Sequence, residues 1–187
     1  KILMKYLIPP SEGKSKIKGS GIKFKDTNFI YQKNVNQIVT LLELIDDEDL
    51  TSIYGTSQEK SELFHRQNED VFNSDCANAI ERYTGIVYKN LDWHSFSNKE
   101  KEFMNDYFYI FSGLFGIVKP LTLIPDYKLK MNVLSLEHLW KETLTDALKD
   151  EDLVIDLLPQ VHRRAYAPQN NVKKINFIVI KKGKKSS

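Results

Sequence analysis

The sequence predicts a single mixed α/β domain over residues 1–187, with a central sheet flanked by helices. Three observations predict it. A chain of 187 residues is long enough to bury roughly two-thirds of its unfolded surface in one core. Short β-rich runs alternate with longer segments of helical periodicity, and no internal repeat breaks that alternation. A composition of 41% hydrophobic and 28% charged residues belongs to a globular chain and not to a disordered one.

Residues 2–8 are β-rich and stop at Pro9-Pro10, which reads as a strand ended abruptly. Residues 11–25, rich in Gly, Ser and Lys, read as a loop. Ile38, Val39, Leu41, Leu42 and Ile45 share one helical face and predict a helix over 36–50, followed by a second over 57–72. Asp75 is expected to cap a third helix running through Ala77, Ile80 and Tyr83 to Gly85, with Cys76 as a small buried residue inside it. Residues 86–88 suggest a short strand. Ser97 and Glu100 have capping-box spacing and open a helix expected to run to about Phe111 and to stop near Gly113. Ser135 opens another through Leu139, Trp140, Leu144 and Leu148, and residues 153–158 and 175–180 read as strands.

Several function classes fall away. No apolar run nears the ~18 residues that a membrane span needs. The single cysteine, Cys76, allows no internal disulfide and suits a reducing compartment. His65, His94, His138 and His162 lack metal-ligand spacing, and no nucleophile elbow is present. The expectation is a cytoplasmic monomer without metal, cofactor or membrane partner.

Charge is segregated. Residues 1–33 hold eight lysines against Glu12 and Asp26, residues 161–187 hold eight basic residues and no acidic one, and the middle is acidic, leaving a net charge of +2. If the two ends meet, they form one positive surface suited to a polyanion; otherwise the lysines serve solubility and guard strand edges.

Gly13-Lys14-Ser15 follows the first strand, but Ile8 stands where a P-loop needs its first glycine and the two prolines remove donors. What remains is a strand-end loop bearing Ser11, Glu12 and Lys14, where open α/β sheets bind ligands. Ser112, Gly113 and Gly116 form a second glycine turn able to expose N–H groups, with Lys119, Lys128 and Lys130 just downstream.

Three stretches carry a resemblance: Pro10-Ser11-Glu12-Gly13-Lys14-Ser15, Arg82-Tyr83-Thr84-Gly85-Ile86-Val87-Tyr88, and Ser112-Gly113-Leu114-Phe115-Gly116-Ile117-Val118-Lys119-Pro120. Leu123-Ile124-Pro125-Asp126-Tyr127-Lys128-Leu129-Lys130-Met131 continues the last of these. Together they resemble the YaaA family of bacterial peroxide-stress proteins, the DUF328/UPF0246 group, over nearly the whole chain. The resemblance implies a DNA-binding protein that limits iron-driven oxidative damage, with a positive cleft and a helix-hairpin-helix-like element near 111–120. Members usually carry an Asn-Leu-Ala-Ser-like strand end, where this chain has Asp156-Leu157-Leu158-Pro159-Gln160, and they continue past the position of Ser187 into a further basic segment.

The leading expectation is phosphate-backbone binding of double-stranded DNA, with little sequence choice. Lys14, Lys16, Lys18, Ser112, Gly113, Gly116, Lys119, Lys128, Lys130, Arg163, Arg164, Lys173 and Lys174 would carry it. The alternative is an enzyme acting on a nucleotide or damaged nucleobase through Ser11, Glu12, Asp156 and Tyr166, if these converge in one strand-end pocket.

Overall fold

The run Met-Lys-Tyr-Leu-Ile forms β1 (Met4–Ile8), which the proline pair ends. The computed structural model describes residues 2–181 and 184–186; Lys1, Lys182, Gly183 and Ser187, part of the expected domain and its basic ends, lie outside the described residues. Helix α1 (Gln32–Glu43) buries Val35, Ile38, Val39 and Leu42 along one stripe. It stops short of residue 50, because the acidic residues at 46–49 make a separate turn before α2 (Leu50–Tyr54). Ser57 caps α3 (Gln58–Glu69) by accepting the Lys60 N–H.

Asp75 caps no helix. Its carboxylate accepts the Gly21 N–H at 2.8 Å. Cys76 is extended and buried, pairing its backbone with Ser20 and Ile22 of the first loop. β2 (Ala77–Asn78) and the short α4 (Ala79–Arg82) follow. Residues 86–88 open a helix, α5 (Ile86–Leu91), and not a strand. Gly85, at φ 105°, turns the chain there, and exposed Ile86 and Val87 have no sheet to join.

Both bonds of the capping box are present at the start of α6 (Asn98–Tyr107). The helix ends at Tyr107, and Phe-Tyr-Ile-Phe-Ser becomes β3 (Phe108–Ser112), burying Ile110 and Phe111. β3 turns through Gly113 to β4 (Gly116–Val118), with Gly116 at φ 72°. The segment 111–120 is therefore a β-hairpin running into a turn, which corrects the helix-hairpin-helix expectation there. β5 (Leu123–Ile124) pairs with β2. α7 (Leu136–Leu148) buries Leu136, Trp140, Leu144 and Leu148.

β6 (Leu153–Asp156), α8 (Gln160–Arg163) and β7 (Val172–Lys174) come next, then an antiparallel pair of β8 (Val179–Lys181) and β9 (Lys184–Ser186). Residues 175–178 lie outside strands, contrary to the expected strand over 175–180. Arg163 donates to the Ile175 carbonyl and the Asn176 side chain, so it occupies a carbonyl that a continuing ladder would need.

Among the described residues a five-stranded sheet runs in the order β4-β3-β1-β6-β7. β1 is parallel to both β3 and β6, and β6 is parallel to β7. Leu7, Phe24, Phe111, Phe115, Trp140 and Tyr166 are among the core side chains. Among the described residues no helix is long and apolar enough to cross a membrane.

Candidate functional site

Parallel β1, β3 and β6 direct their carboxyl ends to one side, and a cleft of about 250 Å³ opens there. Pro10, Ser11, Glu12 and Lys14 come from the loop after β1, Gly113 from the end of β3, and Val161 with His162 from α8 after β6. The segment 127–132 closes the remaining wall.

The β1 loop is held against the turn at residues 82–84. Ser15 N–H donates to the Arg82 carbonyl at 2.7 Å, and Thr84 N–H donates to Ser11 Oγ at 2.9 Å. Ser11 Oγ in turn donates to the Gly13 carbonyl at 2.6 Å, so its hydroxyl braces the loop. Among the described residues buried Arg82 has no carboxylate partner, and it donates instead to the carbonyls of Ser15, Asp75 and Ile124.

Lys14 reaches back over its own loop. Its Nζ donates to the Ser11 carbonyl at 2.8 Å and lies 4.4 Å from the centre of the Tyr127 ring. Burial, aided by the neighbouring Lys128 charge, lowers its pKa to about 8. Lys128 and Lys130 face the same cleft. Glu12 places its carboxylate 2.8 Å from Lys130 Nζ and 3.8 Å from Lys128 Nζ, and the bond to Lys130 lowers its pKa.

The opposite wall is rigid. Buried Asn68 grips Lys128 at both backbone groups, donating to its carbonyl at 2.6 Å and accepting its N–H at 2.9 Å. The Tyr127 hydroxyl is bonded to Tyr83 (2.7 Å) and Ser112 (2.8 Å). At Gly113 a side chain would not fit, since a Cβ there would lie 2.6 Å from the Leu129 carbonyl oxygen.

Ser11 and Glu12 line the cleft, but Asp156 and Tyr166 do not. Asp156 is fully buried, accepting Leu158 N–H at 2.7 Å, Arg163 Nε at 3.2 Å and the Tyr166 hydroxyl. The four residues expected to converge on one catalytic pocket are thus divided between a cleft rim and a sealed cluster. Arg163 is spent inside that cluster and offers no free guanidinium, which corrects its place among the DNA contacts. Ser112 and Gly116 are buried as well: Ser112 Oγ accepts the Phe115 N–H, and Gly116 packs under Trp140. Buried in this way, neither lies open to a phosphate at the surface. Lys16, Lys18, Arg164, Lys173 and Lys174 are exposed, whereas Lys119 lines a separate depression beside Tyr109 and Ile117.

A family model described as peroxide stress protein YaaA matches residues 4–187. The chain belongs to the YaaA family. It is 29% identical to a UPF0246 protein of Rickettsia felis, a match covering 67% of this chain and 52% of that protein. A UPF0246 protein of Streptococcus agalactiae is 28% identical, over 75% of this chain and 62% of the relative. One from Crocosphaera subtropica is 29% identical, over 68% and 54%. The chain therefore spans about half to three-fifths of the length of these YaaA relatives.

Two residues at the cleft of this YaaA chain are not legible as site residues from sequence. Asn68 gives no signal, being one polar residue in an ordinary helix. The spacing of His162 speaks only against metal binding, although its position just after the β6 strand end marks it for a ligand wall. It is 9% exposed, its Nδ1 has no hydrogen-bond partner among the described residues, and burial lowers its pKa to about 4.

Proposed function

We propose that this chain binds double-stranded DNA through its phosphates and so takes part in protecting DNA from iron and peroxide. The observation that carries the reading is the gathering of Lys14, Lys128 and Lys130 at one cleft on the carboxyl ends of three parallel strands. Lys16, Lys18 and Arg164 are exposed and available for further phosphate contacts. Membership of a peroxide-stress family agrees with this role.

Contacts of this kind release counterions. If about five phosphates are neutralised, log K falls with log salt at a slope of roughly −4.5. Fluorescence anisotropy on an arbitrary duplex, repeated from low to moderate salt, measures that slope. Replacing Lys128 and Lys130 by Gln should reduce it by about 2 and weaken all sequences alike, and Lys119→Gln should leave it unchanged. A flat salt response would refute the proposal.

A further inference from the structure

We propose that the cleft is a binding site for one nucleotide unit, its phosphate on Lys128 and Lys130 and its base edge against His162. This deepens the DNA reading, because the same lysines serve both.

Two independent observations point to it. The first is Glu12. Its carboxylate already sits between the two ammonium groups, marking where an anion is held. The side chain is two-thirds exposed, while the surrounding loop backbone is held by Ser11, Ser15 and Thr84. Rotation about its own bonds would clear the position for a phosphate without moving the loop. The second is His162, which lines the cleft and whose buried Nδ1 has no hydrogen-bond partner among the described residues. Buried polar atoms in folded proteins are nearly always paired, so an unpaired one beside a cleft calls for a ligand that completes it.

Size and lining narrow the class. Pro10, Leu129, Met131 and Val161 make an apolar wall suited to a flat ring, with the cations at the rim. A space of about 250 Å³ takes one base and its sugar. A duplex, whose major groove alone is about 12 Å wide, stays outside it and meets only the lysines at its rim. The shared chemistry is a phosphate ester bearing a heterocyclic base, and its source is either a free mononucleotide or a nucleotide swung out of a strand. Extrusion is least costly where a base is already unpaired.

The test uses the full chain in two arms. Calorimetric titration with AMP and UMP, with inorganic phosphate as control, probes the free source. Anisotropy on a duplex with one unpaired nucleotide, against the fully paired duplex, probes the strand source. In the arm that responds, Glu12→Gln should tighten binding about two- to fivefold by removing the competing carboxylate. Lys130→Gln should weaken it, and His162→Phe should weaken it about fivefold. His162→Gln, which restores a polar atom, should recover part of that loss and guards against a folding artefact. Mononucleotides binding better than phosphate identify the free source; preference for the unpaired duplex alone identifies the strand. If neither exceeds its control, or if His162→Phe changes nothing, the inference falls. A fully paired duplex that still binds with a steep salt slope would then leave the DNA reading standing.

Discussion

Replacing Asp156 by Asn keeps the shape of the side chain and removes the charge on which three donors converge. One carboxylate oxygen takes the Leu158 N–H and Arg163 Nε, and the other takes the Tyr166 hydroxyl. An amide can keep its oxygen toward the first two and turn its NH₂ toward Tyr166, whose hydroxyl rotates to accept. The remaining loss is that Arg163, with its side chain only 9% exposed, keeps its charge without a counter-charge. Breaking a buried pair this way costs about 3–5 kcal/mol, and the surviving hydrogen bonds place the change near 3. That is a large share of a total stability of roughly 5–15 kcal/mol. At about 2–4 °C per kcal/mol for a chain of this size, Tm should fall by roughly 6–12 °C. Urea unfolding followed by the fluorescence of Trp93 and Trp140 measures the change directly. Adding Arg163→Met should recover about half of the loss, because it removes the orphaned charge. A cost below about 1 kcal/mol, or simple additivity in the double variant, would refute the assignment of Arg163 to the interior.

Gly113→Ala would drive a Cβ to 2.6 Å from the Leu129 carbonyl oxygen and 2.8 Å from the Lys130 carbonyl carbon, both backbone atoms. It should cost about 1–3 kcal/mol in urea unfolding and loosen the cleft wall. His162 is held neutral to a pKa of about 4, from an ordinary 6.5. Between those values the unfolded chain binds a proton that the folded chain does not, so stability should fall as pH falls from 6.5 to 4, by up to about 3 kcal/mol. His162→Phe should flatten that limb of the stability curve, and an unchanged limb would assign it elsewhere. Burial pushes the Cys76 thiol up to about 11, so iodoacetamide at pH 8 should leave it unmodified until the chain is unfolded. Rapid labelling of native protein would contradict the buried, extended position of residue 76.

Local chemistry made much of this architecture legible. The proline pair after residue 8 and the Ser97–Glu100 box each fix an element by interactions within a few residues. The boundary at Tyr107 was not legible, because Phe108 to Phe111 continue a helical pattern until β1 offers them hydrogen bonds from far away in sequence. The same holds for Cys76, which is extended only because the first loop pairs with it. At the site, the lysines were visible as types and spacings, but their meeting depends on the sheet order. The misplacement of Arg163 has the same origin. Its carboxylate partner lies seven residues earlier on a buried strand end, and only burial tells a paired guanidinium from a free one.

β1 lies at the middle of the sheet, yet its two neighbours are β3, near residue 108, and β6, near residue 153. During synthesis this strand therefore leaves the ribosome long before either partner exists, and its backbone groups must wait in water or in a holding chaperone. Pairings so distant in sequence carry a large loop-closure cost and form slowly. Since the cleft is assembled from the ends of these same three strands, it comes into being only when the last of them docks. A nascent chain truncated before residue 153 would carry the loop lysines without the pocket they serve.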